Sequence, residues 1–207
     1  MDNQAGNTDR PRGAAGELAE TPKPGSAALA HAQNQIIATA HRSLEAAAET
    51  FRGAGITPVI LGDTVTGEAR EVAKVMAALV REIRSYRAPF APPVALISGG
   101  ECTVTVTGEG GRGGRCAEFL LALAIALDGV EGVHALAADT DGIDGSEDNA
   151  GAVIMPDSLA RARAAGLDAR RSLAAHDSYG FFAGLGDLVV TGPTYTNVND
   201  YRAILVF

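Results

Sequence analysis

At 207 residues the chain suits one large domain or two small ones, and 46% hydrophobic residues suffice for a sizeable core. A formal net charge of −8 argues against nucleic acid as a partner, which needs a basic footprint, and offers nothing to an anionic membrane. Cys102 and Cys116 lack metal-ligand spacing, the N-terminus carries no apolar leader, and the longest apolar run, Phe119 to Leu127, is too short to cross a bilayer; the expectation is a cytoplasmic protein.

Residues 1–27 are rich in Gly, Pro, Ala and charge without apolar periodicity, and read as a disordered lead-in. From Gln33 to Phe51, Ile36, Ile37, Ala40, Leu44, Ala47 and Ala48 recur at helical spacing, and Gly53 and Gly55 end the run. Thr57–Leu61 is a short β-rich run. Gly67 to Tyr86 is amphipathic, with a stripe of Val72, Val75, Met76, Leu79, Val80 and Ile83, and predicts a helix. A Pro-rich connector, Pro89 to Pro93, marks a boundary or hinge.

Val94–Ser98 is an apolar strand, and Thr103–Thr107 alternates as a half-exposed strand does. The loop Gly108–Gly114 holds five glycines, and a helix that is apolar nearly all round follows from Arg115 to Leu127. Val133–Ala138 is a strand running into Asp139-Thr140-Asp141-Gly142-Ile143-Asp144-Gly145. Ala152–Met155 is a further strand. Helices follow at Ser158–Ala165, Asp168–Ala175 and Tyr179–Leu185, and strands at Leu188–Thr191 and Ala203–Phe207 close the chain. The alternation gives an α/β fold layered on a central sheet.

Strand, glycine loop, helix is an arrangement that presents backbone N–H groups to an anion. The loop contains a literal G-x-G-x-x-G at Gly108, Gly110 and Gly113. Its charges, the alternating strand before it and the lack of a ribose-binding acid about 20 residues on speak against a dinucleotide fingerprint. Arg115 opens the helix, where the macrodipole disfavours a cation, which makes sense if it faces a bound anion. Asp139, Asp141 and Asp144 follow a strand, where ligands bind in α/β sheets; their spacing suits Mg²⁺, a general base, or simple turn chemistry. Gly99 and Gly100 permit close backbone approach to a ligand or make a plain turn. Thr191–Thr194 and Thr196–Asp200 are dense in hydroxyls and amides, as caps or pocket linings are. His176 beside Asp177 is a weak base–orienter pair, because sequence neighbours seldom face each other.

The order SGGE, TVTV, GRGGR, leucine-rich helix, ADTDGIDG, HDSYGFF and GDLVVTGPTYTNVNDYRAIL resembles the C-terminal MOFRL domain of class II glycerate kinases, also called glycerate 2-kinases and, formerly, hydroxypyruvate reductases. The likeness is strong over residues 93–207 and continues more weakly back to about Glu20. It implies a layered α/β/α MOFRL domain with a mixed sheet at 93–207, preceded at 28–92 by a partial α/β segment of the family's preceding region. It also implies transfer of phosphate from ATP, with Mg²⁺, to the 2-hydroxyl of D-glycerate. Family members are about twice as long, and their catalytic lysine lies in the N-terminal half; Lys23 and Lys74 sit in no matching motif. The chain thus resembles a C-terminal half: a truncated gene product, a fragment, or one piece of a split protein whose activity needs the N-terminal domain, with a separate N-terminal half or a second copy as the expected partner.

By motif, the resemblance assigns Arg115 to the anionic substrate or phosphoryl group and Asp141 to base or metal chemistry. Asp139 joins Asp141 as a metal ligand. Gly99, Gly100, Glu101, Gly113, Gly114 and Asn197 become substrate- or phosphate-binding, and Thr103 supports the site. Cys116 stands where the family has Asn, Cys102 where it has Thr, and the loop carries one extra glycine near Gly111. Two readings stand beside the kinase: an NAD(P)H-dependent hydroxypyruvate reductase, and a non-catalytic anion-binding or domain-pairing remnant. If Arg115 contacts a ligand, its removal is expected to abolish binding and leave the fold nearly unchanged.

Overall fold

The computed structural model describes residues 21–33, 35–36, 38–108 and 110–207. The lead-in expected at 1–27 therefore lies largely outside the described residues. The chain divides into two units, Met1–Ile37 and Ala38–Phe207. In the first, a 3₁₀ turn at Ala27–Leu29 is capped by Ser26, whose hydroxyl accepts from the Ala28 N–H.

The second unit begins with α1 (Ala40–Gly53). The helix expected from Gln33 starts seven residues later, because Thr39 is extended and its hydroxyl accepts from the Arg42 N–H at 3.2 Å. β1 (Thr57–Gly62) follows, then β2 (Gly67–Glu68) and α2 (Ala69–Tyr86). The buried face of α2 is Ala69, Ala73, Met76, Ala77, Val80 and Ile83, while Val75 from the expected stripe is 67% exposed. Ala69, Ala73 and Ala77 on this face let a second helix pack closely along it. That helix, α3 (Arg115–Leu127), covers the main apolar stripe of α2.

β3 (Val94–Gly100) is buried throughout and carries Gly99 and Gly100 as its last residues rather than in a turn. At Gly100, φ is +100° and a Cβ would lie 2.4 Å from the backbone of Val65, so only glycine admits the neighbouring loop. β4 is only Cys102–Thr103, paired with β2. The longer strand expected through Thr107 does not form. The Glu68 carboxylate takes the place of a neighbouring backbone, accepting from the Thr105 N–H at 3.0 Å and the Thr105 hydroxyl at 2.9 Å.

β5 (Val133–Asp139), β6 (Gly151–Ile154), α4 (Ser158–Ala164), α5 (Ala169–Ala174), α6 (Ser178–Leu185), β7 (Leu188–Val189) and β8 (Asp200–Val206) complete the unit. The main sheet has six strands in the order β1-β3-β8-β5-β6-β7; β1 is parallel to β3 and the other pairs are antiparallel. The chain's last strand thus lies at the centre. The pairing of β1 with β3 carries the sheet across the Pro-rich connector. On one face α1 packs Leu44 and Ala48 against Ala95 and Ile97. On the other, α2 and α3 bury the larger core, with Phe181 and Phe182 of α6. The fold is the expected α/β/α arrangement on a mixed sheet.

Leu44 is the main anchor of α1. Leu44→Ala is expected to lower the unfolding free energy by about 2–5 kcal/mol, measured by urea denaturation.

Candidate active site

The site is built where α3 begins. β8 lies between β3 and β5, so Asp200 sits opposite Gly100 on one side and Asp139 on the other. Side chains two apart on a strand share a face, and Asp200 and Arg202 both point to the α3 side. The Asp200 carboxylate, 0% exposed, divides between two guanidinium groups: Oδ1 accepts from Arg115 Nε at 2.7 Å and Oδ2 from Arg202 Nη2 at 2.7 Å. Arg202 is itself buried, donates to the carbonyls of Gly99 and Gly100 at 3.1 and 3.3 Å, and lies over the Phe119 ring.

Arg115 has two further partners. Its Nη2 meets Asp139 Oδ2 at 2.6 Å, and its Nη1 meets Glu101 Oε1 at 3.2 Å. Burial alone would lower the pKa of Arg115, but the bond and charge of Asp200, then Asp139 and Glu101, outweigh it and push it up. Burial raises Asp139, against the Asp141 N–H and the charge of Arg115. Three carboxylates face two guanidinium groups, so the cluster carries a small negative excess. The helix-opening cation does have anions before it, and they belong to the protein.

The N–H groups of α3 are likewise met from within. Asp144, fully buried, accepts from Cys116 N at 3.0 Å and Ala117 N at 2.8 Å. Burial pushes its pKa up to about 6 against those two bonds. Gly114 lies so close that a Cβ would stand 2.3 Å from the Asp144 carboxylate, and Gly113 presses on Ser178 in the same way. Gly113 and Gly114 are therefore needed for packing. The extra glycine is accommodated too: a Cβ at Gly111 would meet the Ala175 carbonyl at 2.4 Å. Cys116 points into the core, and burial holds its thiol well above the usual range.

Two hollows open beside this cluster. The larger, about 710 Å³, is lined by Asp63, Thr64, Glu101, Thr103, Arg115 and Asn199, among others. The smaller, about 400 Å³, is lined by Asp141, Ile143, Pro193, Tyr195, Thr196 and Asn197. Gly100, Glu101 and Arg115 are thus brought together in one hollow, and Asp141 and Asn197 in the other. Asp139 joins the two, pairing with Arg115 through Oδ2 and accepting from the Asp141 N–H through Oδ1 at 3.1 Å. Asp141 Oδ1 accepts from the Ile143 N–H at 2.9 Å. With Asp139 doubly engaged and a guanidinium already in the cation position, Asp139 and Asp141 do not fit the metal pair expected of them. Among the described residues no group of three or more His, Cys, Asp or Glu is placed to hold a metal ion.

His176 and Asp177 do not face each other. His176 Nδ1 lies 3.0 Å from buried Glu118 and 3.1 Å from Arg70 Nη2, tying α2, α3 and the α5–α6 turn, while Asp177 caps α6. Asp63 and Arg202 are residues that the sequence left without a site role, and it marked Asp200 only as part of a polar run. The signal for Asp200 is strand parity with Arg202, and it becomes readable only once β8 is known to be central.

Residues 94–200 match the MOFRL family. The chain belongs to that family. A protein of Agrobacterium vitis that carries the name hydroxypyruvate reductase is 54% identical over 188 residues, covering 90% of this chain and 42% of that one. A glycerate 2-kinase of Pyrococcus horikoshii is 38% identical, covering 94% and 43%. The crystal structure of a Thermotoga maritima glycerate kinase superposes with a TM-score of 0.81 at 36% identity, covering 84% of this chain and 42% of that one. The chain spans less than half the length of these relatives. The likeness to the C-terminal part of class II glycerate kinases holds in sequence and in fold. Among the described residues no helix is long and apolar enough to cross a membrane.

Removing Arg115 leaves Asp139 beside Asp200 with one counter-charge gone. Arg115→Ala is expected to destabilise the fold by about 3 kcal/mol, contrary to the expectation of an unchanged fold, and chemical denaturation measures it. Asp144 gives a pH dependence. Its native pKa lies above the ordinary 3.8, so its contribution is fully present below that value and lost as pH rises through about 6. Stability is expected to rise by about 1 kcal/mol from pH 7 to pH 5, and Asp144→Asn to remove that rise.

Proposed function

We propose that this chain forms one wall of a glycerate 2-kinase site, at which the γ-phosphoryl group of ATP passes to the 2-hydroxyl of D-glycerate. The observation that carries the reading is the Arg115 cluster opening into the larger hollow; the glycerate kinase names of the relatives support it. Phosphoryl transfer rests on positioning and charge neutralisation. Arg115 is suited to this because its three arms differ. Nε and Nη2 are fixed at 2.7 and 2.6 Å by well-buried acids, whereas Nη1 meets only Glu101, 57% exposed, at 3.2 Å. Nη1 is the arm that exchanges Glu101 for a phosphoryl oxygen while the other two keep the group aimed.

Asp63 lines the same hollow and has no ion pair among the described residues. It takes the proton from the glycerate 2-hydroxyl as that oxygen bonds to the γ-phosphorus, and the bond to the β-phosphate oxygen breaks to release ADP. Asp141, the base expected from the sequence, belongs to the neighbouring hollow. The relatives' greater length supports a second wall supplied by a separate N-terminal half.

A hydroxypyruvate reductase is favoured by the names of two Agrobacterium relatives. The α3 amides that a dinucleotide phosphate would use already hold Asp144.

Coupled ATP–glycerate turnover tests the kinase, with the chain alone and with the N-terminal half of the Thermotoga D-glycerate 2-kinase added. The mixture is expected to turn over and Asp63→Asn to lower kcat by about 10²-fold or more. A folded mixture without turnover, or NADH oxidation with hydroxypyruvate, overturns the reading.

A further inference from the structure

The smaller hollow is built differently from the larger one. Its wall includes Tyr195, which is 99% exposed and holds a left-handed backbone at φ +59°. A bulky residue in that region costs on the order of 1–2 kcal/mol and persists only where its surroundings hold it. They do so here. The Thr194 N–H donates to the Asp141 carbonyl at 2.9 Å, and the Val198 N–H donates to the Thr140 hydroxyl at 2.9 Å. Two loops are thereby braced together, and a large aromatic ring is displayed from the joint with both faces in water.

The lining disfavours an anionic occupant. It contains no Lys or Arg, and its one charge is Asp141, so a phosphate or a small carboxylate is repelled. Ile143 and Pro193 add apolar surface beside the tyrosine. Polar capacity remains at the edge. Asn197 Oδ1 accepts from the Asn199 N–H at 3.1 Å, which leaves its amide nitrogen as a donor, and the Thr196 hydroxyl has no protein partner among the described residues. A flat, neutral ring with hydrogen-bonding edges is the ligand chemistry that fits. Asn197 faces this hollow and Asn199 the larger one, so the same strip of chain borders both.

We propose that the smaller hollow seats the purine ring of a nucleotide, stacked on Tyr195, with the phosphates directed toward Arg115. This rests on the kinase reading. Asp141 Oδ2, the oxygen not used by Ile143, accepts from a sugar hydroxyl. Stacking a base on an aromatic side chain contributes about 1–3 kcal/mol, whichever phosphates it carries.

Calorimetry on the full chain tests this with ADP and with inorganic tripolyphosphate. Tyr195→Ala is expected to weaken ADP about 10-fold or more, Tyr195→Phe to keep the wild-type affinity, and tripolyphosphate to be affected by neither. Far-UV circular dichroism checks that both variants fold. Equal ADP affinity in the wild type and Tyr195→Ala overturns the purine seat and leaves the kinase reading standing. An equal loss of ADP and tripolyphosphate in Tyr195→Ala overturns it also, by removing the base-specific role. No binding of either probe to the wild type overturns both proposals for this chain.

Discussion

The carboxylate of Asp200 holds the site together. Among the described residues it is the only acid whose two oxygens serve two different arginines, one from the start of α3 and one from its own strand. Arg202 passes the connection to the end of β3 through the carbonyls of Gly99 and Gly100, and Arg115 passes it to the end of β5 through Asp139. One buried anion thus joins three strands and a helix. Buried charges are costly unless paired and hydrogen-bonded. The pairing is nearly complete here, and that completeness fixes the direction of Arg115.

The same logic governs the glycine loop. Its amides and its following helix look like a socket for a ligand's phosphate, and Asp144 occupies that socket. The glycines serve the approach of the 144–145 turn and the start of α6, where any Cβ would collide. Binding capacity is left instead at the two hollows on either side of the Asp139–Asp141 strip. In the larger, only the Glu101 arm of Arg115 is loosely held. In the smaller, no cation is present and an aromatic ring is displayed. A phosphorylated ligand with a neutral ring is divided in the same manner.

Several parts of this were legible in the residues. The α3 helix was readable end to end, because an apolar run flanked by Gly114 and Asp128 has one easy solution. Arg115 was singled out for a sound reason, since a cation at a helix N-terminus needs an anion. What could not be read was which anion. Asp200 lies 85 residues further on, and only the insertion of β8 between β3 and β5 brings it there. The failed strand at Val104–Thr107 shows the same thing on a smaller scale. Its alternation was real, but the Glu68 side chain reached the backbone first.

By itself the sequence determined the α/β alternation, the family's ordered motifs and the importance of the stretch from Val94 to Asp128. These depend on local pattern, which periodicity and spacing record. The tertiary structure alone decided that the anions before Arg115 and α3 are the protein's own, that Ala69, Ala73 and Ala77 join the inward face of α2 while Val75 stays outside, and that Asp141 belongs with Tyr195 rather than with Arg115. Each of these depends on which strands become neighbours. Strand order is settled by burial of the whole sheet and not by any local run of residues.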